Sequence, residues 1–160
     1  MMGRALLVVG WCGTAAFVAT AVMGYGIDSM EAMGRHMLVA LVACFLLLFS
    51  HCWILFFLIG TGKAVKDTVG RAGLPAELVE RTRRFKMESN PPMMLAMILA
   101  MATFIVGGGV QTRVIPSWIH HALFFVTLAV QLWTLRIEHR VVTANERLLR
   151  EVDGLAREAA

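Results

Sequence analysis

The residues of this chain with the clearest chemistry are its five histidines. His36 and His51 stand fifteen residues apart, His36 just before and His51 deep inside the run Met37–Gly60, which holds no Lys, Arg, Asp or Glu. His120 and His121 open a second apolar stretch, and His139 follows it. A protonatable ring among Leu and Phe is costly unless it has a partner. Imidazoles on facing helices can ligate haem iron axially, and with thioethers they suit Cu(I).

Those rings need elements to hold them. With 58% hydrophobic residues, 16% charged and a mean hydropathy of +0.70, the composition is that of a polytopic membrane protein. Four apolar runs are expected to span the bilayer, at about 5–24, 30–61, 92–110 and 117–138. The first follows Arg4 and ends near Ala19-Thr20-Ala21, which superficially resembles a signal peptide. It is longer than a usual signal core, so we expect a retained first span with a small-residue face of Gly10, Gly13, Thr14, Ala21 and Gly24. Asp28 with Glu31 is expected to cap the second span. Asn90-Pro91-Pro92 is expected to end one segment and launch the third span, which closes at Gly107-Gly108-Gly109. Two further amphipathic segments, about 63–89 and 139–158, are expected in the cytoplasm. In the second of these, Val141, Leu148, Val152 and Leu155 form an apolar stripe that suits a membrane surface or another helix. The fold expected is therefore an all-α integral membrane four-helix bundle, a single domain over residues 1–160.

Orientation follows from charge. Lys63, Lys66, Arg71, Arg81, Arg83, Arg84 and Lys86 crowd the connection between spans two and three, whereas the other connections offer only Arg35 and Arg113. The positive-inside rule then puts both termini and the long connection in the cytoplasm of an inner-membrane protein. Trp11, Trp53 and Trp133 fall at one boundary, Tyr25 and Trp118 at the other, as aromatic belts should. The net charge of +4 suits an anionic leaflet better than nucleic acid, so the lipid bilayer is the expected partner, with a homo-oligomer or larger membrane complex also open. Cys12, Cys44 and Cys52 lie in apolar runs without CxxC spacing and are expected to be small buried hydrophobes.

With this topology the second and fourth spans run parallel. The fourth carries a polar stripe, His120, Thr127, Gln131, Thr134 and Glu138, at offsets 0, 7, 11, 14 and 18 that keep one helical face. Ala40, Cys44 and His51 share a face of the second span, and the two faces should meet. His36, His120 and His121 then gather in the outer leaflet with Met30, Met33, Met37 and Glu31, while His51 lies about 22 Å further in, level with Gln131, Met97 and Cys12. The sharp reading is a haem b between these spans on His36 with His120 or His121, with a second, less well supplied site at which His51 would need His139 or Met97. The fifteen-residue spacing of His36 and His51 is similar to that in dihaem cytochrome b bundles, whose helices carry paired axial ligands. The likeness covers the second span alone, since the fourth carries its histidines eighteen or nineteen apart.

Copper on Met33, His36, Met37 and His120 is the alternative, although Met is also a common filler of apolar cores. The plain reading is that no cofactor binds: His51 hydrogen-bonds Gln131 or Thr134, Glu138 pairs with Arg136 and Arg140 at the boundary, and the chain is a structural or accessory subunit. No Ser/His/Asp set, phosphate-cradling glycine loop or paired carboxylate site is present, so nothing points to an enzyme acting alone.

Overall fold

The computed structural model describes residues 2–159, excepting the side chains of residues 2 and 4, so the topogenic Arg4 side chain lies outside the described residues. Four helices make the chain an all-α bundle: α1 (Met2–Gly24), α2 (Met30–Ala72), α3 (Glu77–Gln111) and α4 (Ser117–Glu158). Each is long and apolar enough to cross a membrane. Only 28–39% of each apolar window is buried within the chain, so the remaining surface, including Phe45, Phe49, Trp53 and Phe56, is left for lipid.

Neighbouring helices pack in order, α1 on α2, α2 on α3, α3 on α4 and α4 on α1. α2 and α4 also touch across the diagonal, which brings their two polar faces together in the interior. Glycine lets α1 approach closely: a Cβ at Gly13 would lie 3.1 Å from Leu47 Cδ2 and 3.2 Å from the Leu47 backbone nitrogen.

Several boundaries differ from those expected. The α2 cap is Ser29, whose hydroxyl accepts from the Ala32 N–H at 3.1 Å, because Ser29 sits three residues before that donor and Asp28 does not. Gly60-Thr61-Gly62 does not end α2, which runs to Ala72 and stops at Gly73, a left-handed residue with φ 63°. Pro91 and Pro92 lie inside α3 and do not start it. Prolines persist within a membrane helix where neighbours support the chain; here Pro92 is buried and its carbonyl accepts from Thr134 Oγ1 at 3.2 Å. The segment at 63–89 is thus not a separate amphipathic helix but extensions of α2 and α3, and 139–158 is the outward continuation of α4. At 1.5 Å per residue, the 42 residues of α4 run for about 63 Å, roughly twice the hydrocarbon thickness.

The core has three apolar layers. In the extension that carries the basic residues, Val65, Val69 and Leu78 close on Leu148 and Val152, so that part of the α4 stripe is covered by other helices while Leu155 stays exposed. Arg81 with Glu151, and Arg140 with Glu88, tie α3 to α4 around it. The middle layer contains Leu6, Leu7, Ile54, Leu58, Met93, Val141 and Val142. The third, toward the opposite end, is Phe17, Ala43, Leu47, Ala100 and Phe124. The small face of α3, Ala96, Ala100 and Thr103, points inward.

Overpacking the α1–α2 contact should be costly. Gly13→Val is expected to lose about 1–3 kcal/mol, whereas Gly34→Ala, with nothing within 4 Å of the added Cβ, should leave stability unchanged or raise it by up to ~1 kcal/mol. Thermal and denaturant unfolding in detergent compare the two.

Candidate functional site

The polar faces of α2 and α4 form two distinct arrangements, one sealed and one open. The sealed one is built around His51, whose side chain has no exposure. Its Nδ1 lies 2.6 Å from Glu138 Oε1, and its Nε2 lies 3.0 Å from Gln131 Oε1. Gln131 donates from Nε2 to Thr14 Oγ1 at 3.3 Å, and Thr14 donates to the Gly10 carbonyl at 2.9 Å. Gln131 and Glu138 are likewise fully buried. Three helices therefore contribute to one hydrogen-bonded line.

Both ring nitrogens of His51 face protein groups, so neither is left for an iron or copper ion in this arrangement. The carboxylate also sits elsewhere than expected. Glu138 does not form a boundary ion pair: Arg136 and Arg140 are exposed, and Arg140 reaches Glu88 of α3. Residues two apart on a helix point away from one another, and that geometry turns Glu138 inward. His139 is exposed and so lies outside the sealed line around His51. Thr134 bonds the Pro92 carbonyl rather than His51. Met97 meets the Cys52 thiol, Sγ to Sδ 3.7 Å, and does not enter the line. Cys12 and Cys52 lie on the bundle surface and Cys44 is half-buried, so the cysteines are not core residues as a group.

The open arrangement is a cavity of about 740 Å³ toward the end opposite the basic residues. It lies within the range of roughly 300–1,000 Å³ typical of small-molecule and cofactor sites. His36 of α2 and His120 of α4 both line it, with Met33, Met37, Phe124 and Thr103 among the other walls. The Nδ1 atoms of His36 and His120 are buried without a hydrogen-bond partner. Buried polar atoms are ordinarily satisfied, so each unpaired one calls for an explanation. The Thr103 backbone approaches the His120 ring.

Glycine makes room for the His120 imidazole, and a second glycine lies at contact distance from His36. A Cβ at Gly107 would lie 3.0 Å from His120 Cε1, and one at Gly24 would lie 3.5 Å from His36 Cε1. His121 is more exposed and stacks on Tyr25, ring centroids 5.6 Å apart. Thr127 joins the cavity wall to the α4 stripe through Thr103, with hydroxyl oxygens 2.7 Å apart. Among the described residues, no three His, Cys, Asp or Glu side chains converge as a metal-ligand group. Met33, Met37 and His36 share the cavity, whereas Met30 is exposed.

The class defined by this fold is a multi-pass membrane four-helix bundle with a polar interior. No family model, curated protein or solved structure matches the chain significantly.

The buried pair should dominate local stability. Glu138→Ala leaves His51 Nδ1 facing no partner and is expected to cost about 1–3 kcal/mol. Arg81→Ala removes a partly exposed pair and is expected to cost at most ~1 kcal/mol. Denaturant titration of the two variants measures the difference.

Proposed function

We propose that the protein is an inner-membrane protein with both termini in the cytoplasm, and that it binds one b-type haem for electron transfer. His36 and His120 would hold its iron in this reading. The observation that carries it is a pair of imidazoles from two helices, each with a buried and unpaired Nδ1, on the wall of one large apolar cavity.

The residues fit the group. A haem brings its own four equatorial nitrogens, so two protein ligands suffice and no third His, Cys or carboxylate is required. When bound it would supply a one-electron carrier, with the imidazoles and the apolar surroundings setting its potential. The chain's own part is to hold and orient the rings. Gly107 leaves space behind His120, and the Thr103 backbone lies where it can orient that ring. Phe17 and Phe124, stacked with centroids 4.8 Å apart, form part of the apolar wall. His121, stacked on Tyr25, is assigned to the rim and not to the iron. The orientation rests on the basic residues gathered around the α2–α3 connection.

One observation favours a second reading. Met33 and Met37 line the same cavity as His36 and His120, a thioether and imidazole set suited to Cu(I). Without either group, the chain would be a structural or accessory subunit of a larger membrane complex or a homo-oligomer.

Protein purified from haem-replete cells is expected to show a Soret band that His36→Ala and His120→Ala abolish and His121→Ala retains. Stoichiometric copper lost on replacing Met33 and Met37 would transfer the site to the second reading. Absence of both a Soret band and stoichiometric metal by elemental analysis would overturn both.

A further inference from the structure

We infer that His51 and Glu138 form a proton-binding site inside the bundle, separate from the cavity, which holds one exchangeable proton between Nδ1 and Oε1. The direction of each hydrogen bond fixes where the protons lie. Thr14 Oγ1 spends its hydrogen on the Gly10 carbonyl, so its oxygen accepts from Gln131 Nε2. The Gln131 amide is thereby oriented, with its NH₂ toward Thr14 and its Oε1 toward His51. An amide oxygen only accepts. His51 Nε2 must therefore carry a hydrogen.

That leaves Nδ1, 2.6 Å from Glu138 Oε1. A contact of this length needs one proton between the two atoms. The proton rests either on nitrogen, as imidazolium with carboxylate, or on oxygen, as imidazole with carboxylic acid. Both forms have the same composition and no net charge. Losing that proton leaves a nitrogen lone pair against a carboxylate, with a net charge of −1 in the membrane interior, where isolated charge is strongly disfavoured. The balance is simple: the neutral pair releases H⁺ to water and becomes imidazole with carboxylate, and the reverse step restores it. No oxidant or other reactant takes part.

Glu138 supplies the second half of the argument. Its Oε2 is buried without a partner, so one lone-pair position of the carboxyl group stays open to a mobile proton or water. The same face of α4 continues toward the basic end through Asn145, buried and donating to Thr61 Oγ1 at 3.0 Å. This gives a polar direction for exchange.

Among the described residues, Glu138 is the charged group that meets His51. α1 faces the line with Thr14, and its stretch 5–24 contains no charged residue. α3 has none from Ser89 to Gln111, and α2 has none besides its histidine in Met37–Gly60. Cys52, the nearest other titratable group on α2, is turned to Met97. On α4, Arg136, His139 and Arg140 are exposed, and Glu146 lies beside Gly3.

The test uses full-length protein in lipid nanodiscs with ¹⁵N-labelled histidine, the His51 signals being assigned by their loss in His51→Gln. In wild type, Nε2 should stay protonated across the range in which the protein remains folded. The Nδ1–Oε1 proton should leave in a single step, matched by release of one proton per chain to an indicator dye. Glu138→Gln, whose amide N–H can donate to Nδ1, should abolish that step while retaining helix content. An unprotonated Nε2, no step in wild type, or an unchanged step in Glu138→Gln would each overturn the assignment. Should Glu138→Gln unfold, the wild-type ring states and proton count decide alone.

Discussion

The hydrogen bond between His51 and Glu138 fixes how α2 is rotated against α4, and much of the bundle follows from that rotation. In hydrocarbon an unpaired imidazole or carboxyl group has no water to turn to, so each must find the other. Once His51 is level with Glu138 and Gln131, a parallel partner helix has little freedom of register. A slip by one turn would set His51 against Leu135 or Val142 of α4 in place of the acid. Polar layers of this kind contribute modestly to stability, but they discriminate strongly between alternative packings.

That constraint divides the molecule along its axis. On the basic side of the polar layer, Ile54, Leu58, Val141 and Val142 fill the interior with branched side chains, and three helices continue beyond the apolar spans around Val65, Leu148 and Val152. On the opposite side the same helices present Ala40, Ala100, Gly24 and Gly107. Small residues there hold the walls apart around the two imidazoles. The tight half supplies the stability that lets the other half remain open.

Much of this was legible in the sequence. Four apolar runs and the 3.6-residue period of the α4 stripe suffice for an all-α membrane bundle with α2 facing α4. Gln131 as a partner of His51 follows from equal depth. Glu138 was harder, because the nearest opposite charges in sequence, Arg136 and Arg140, are those that a helix turns away from it. The prolines at 91 and 92 read as a boundary because local rules for helix breaking omit the support of neighbouring helices. The approach of Gly107 and Gly24 to imidazoles on other helices depends on tertiary packing, and no local pattern encodes it.

The cavity bears on function through its size. Voids in packed cores cost roughly 24 cal/mol per Å³. A cavity of about 740 Å³ whose lining includes the exposed Val22, Tyr25 and Ile105 escapes that cost, because water or lipid can reach its walls. Water would serve His36 and His120 but not the surrounding Phe17, Phe104 and Phe124; an acyl chain would serve the phenyl rings but leave both Nδ1 atoms unpaired. The wall therefore combines two demands, an apolar surface and two unpaired imidazole nitrogens, that neither of these fillings meets alone.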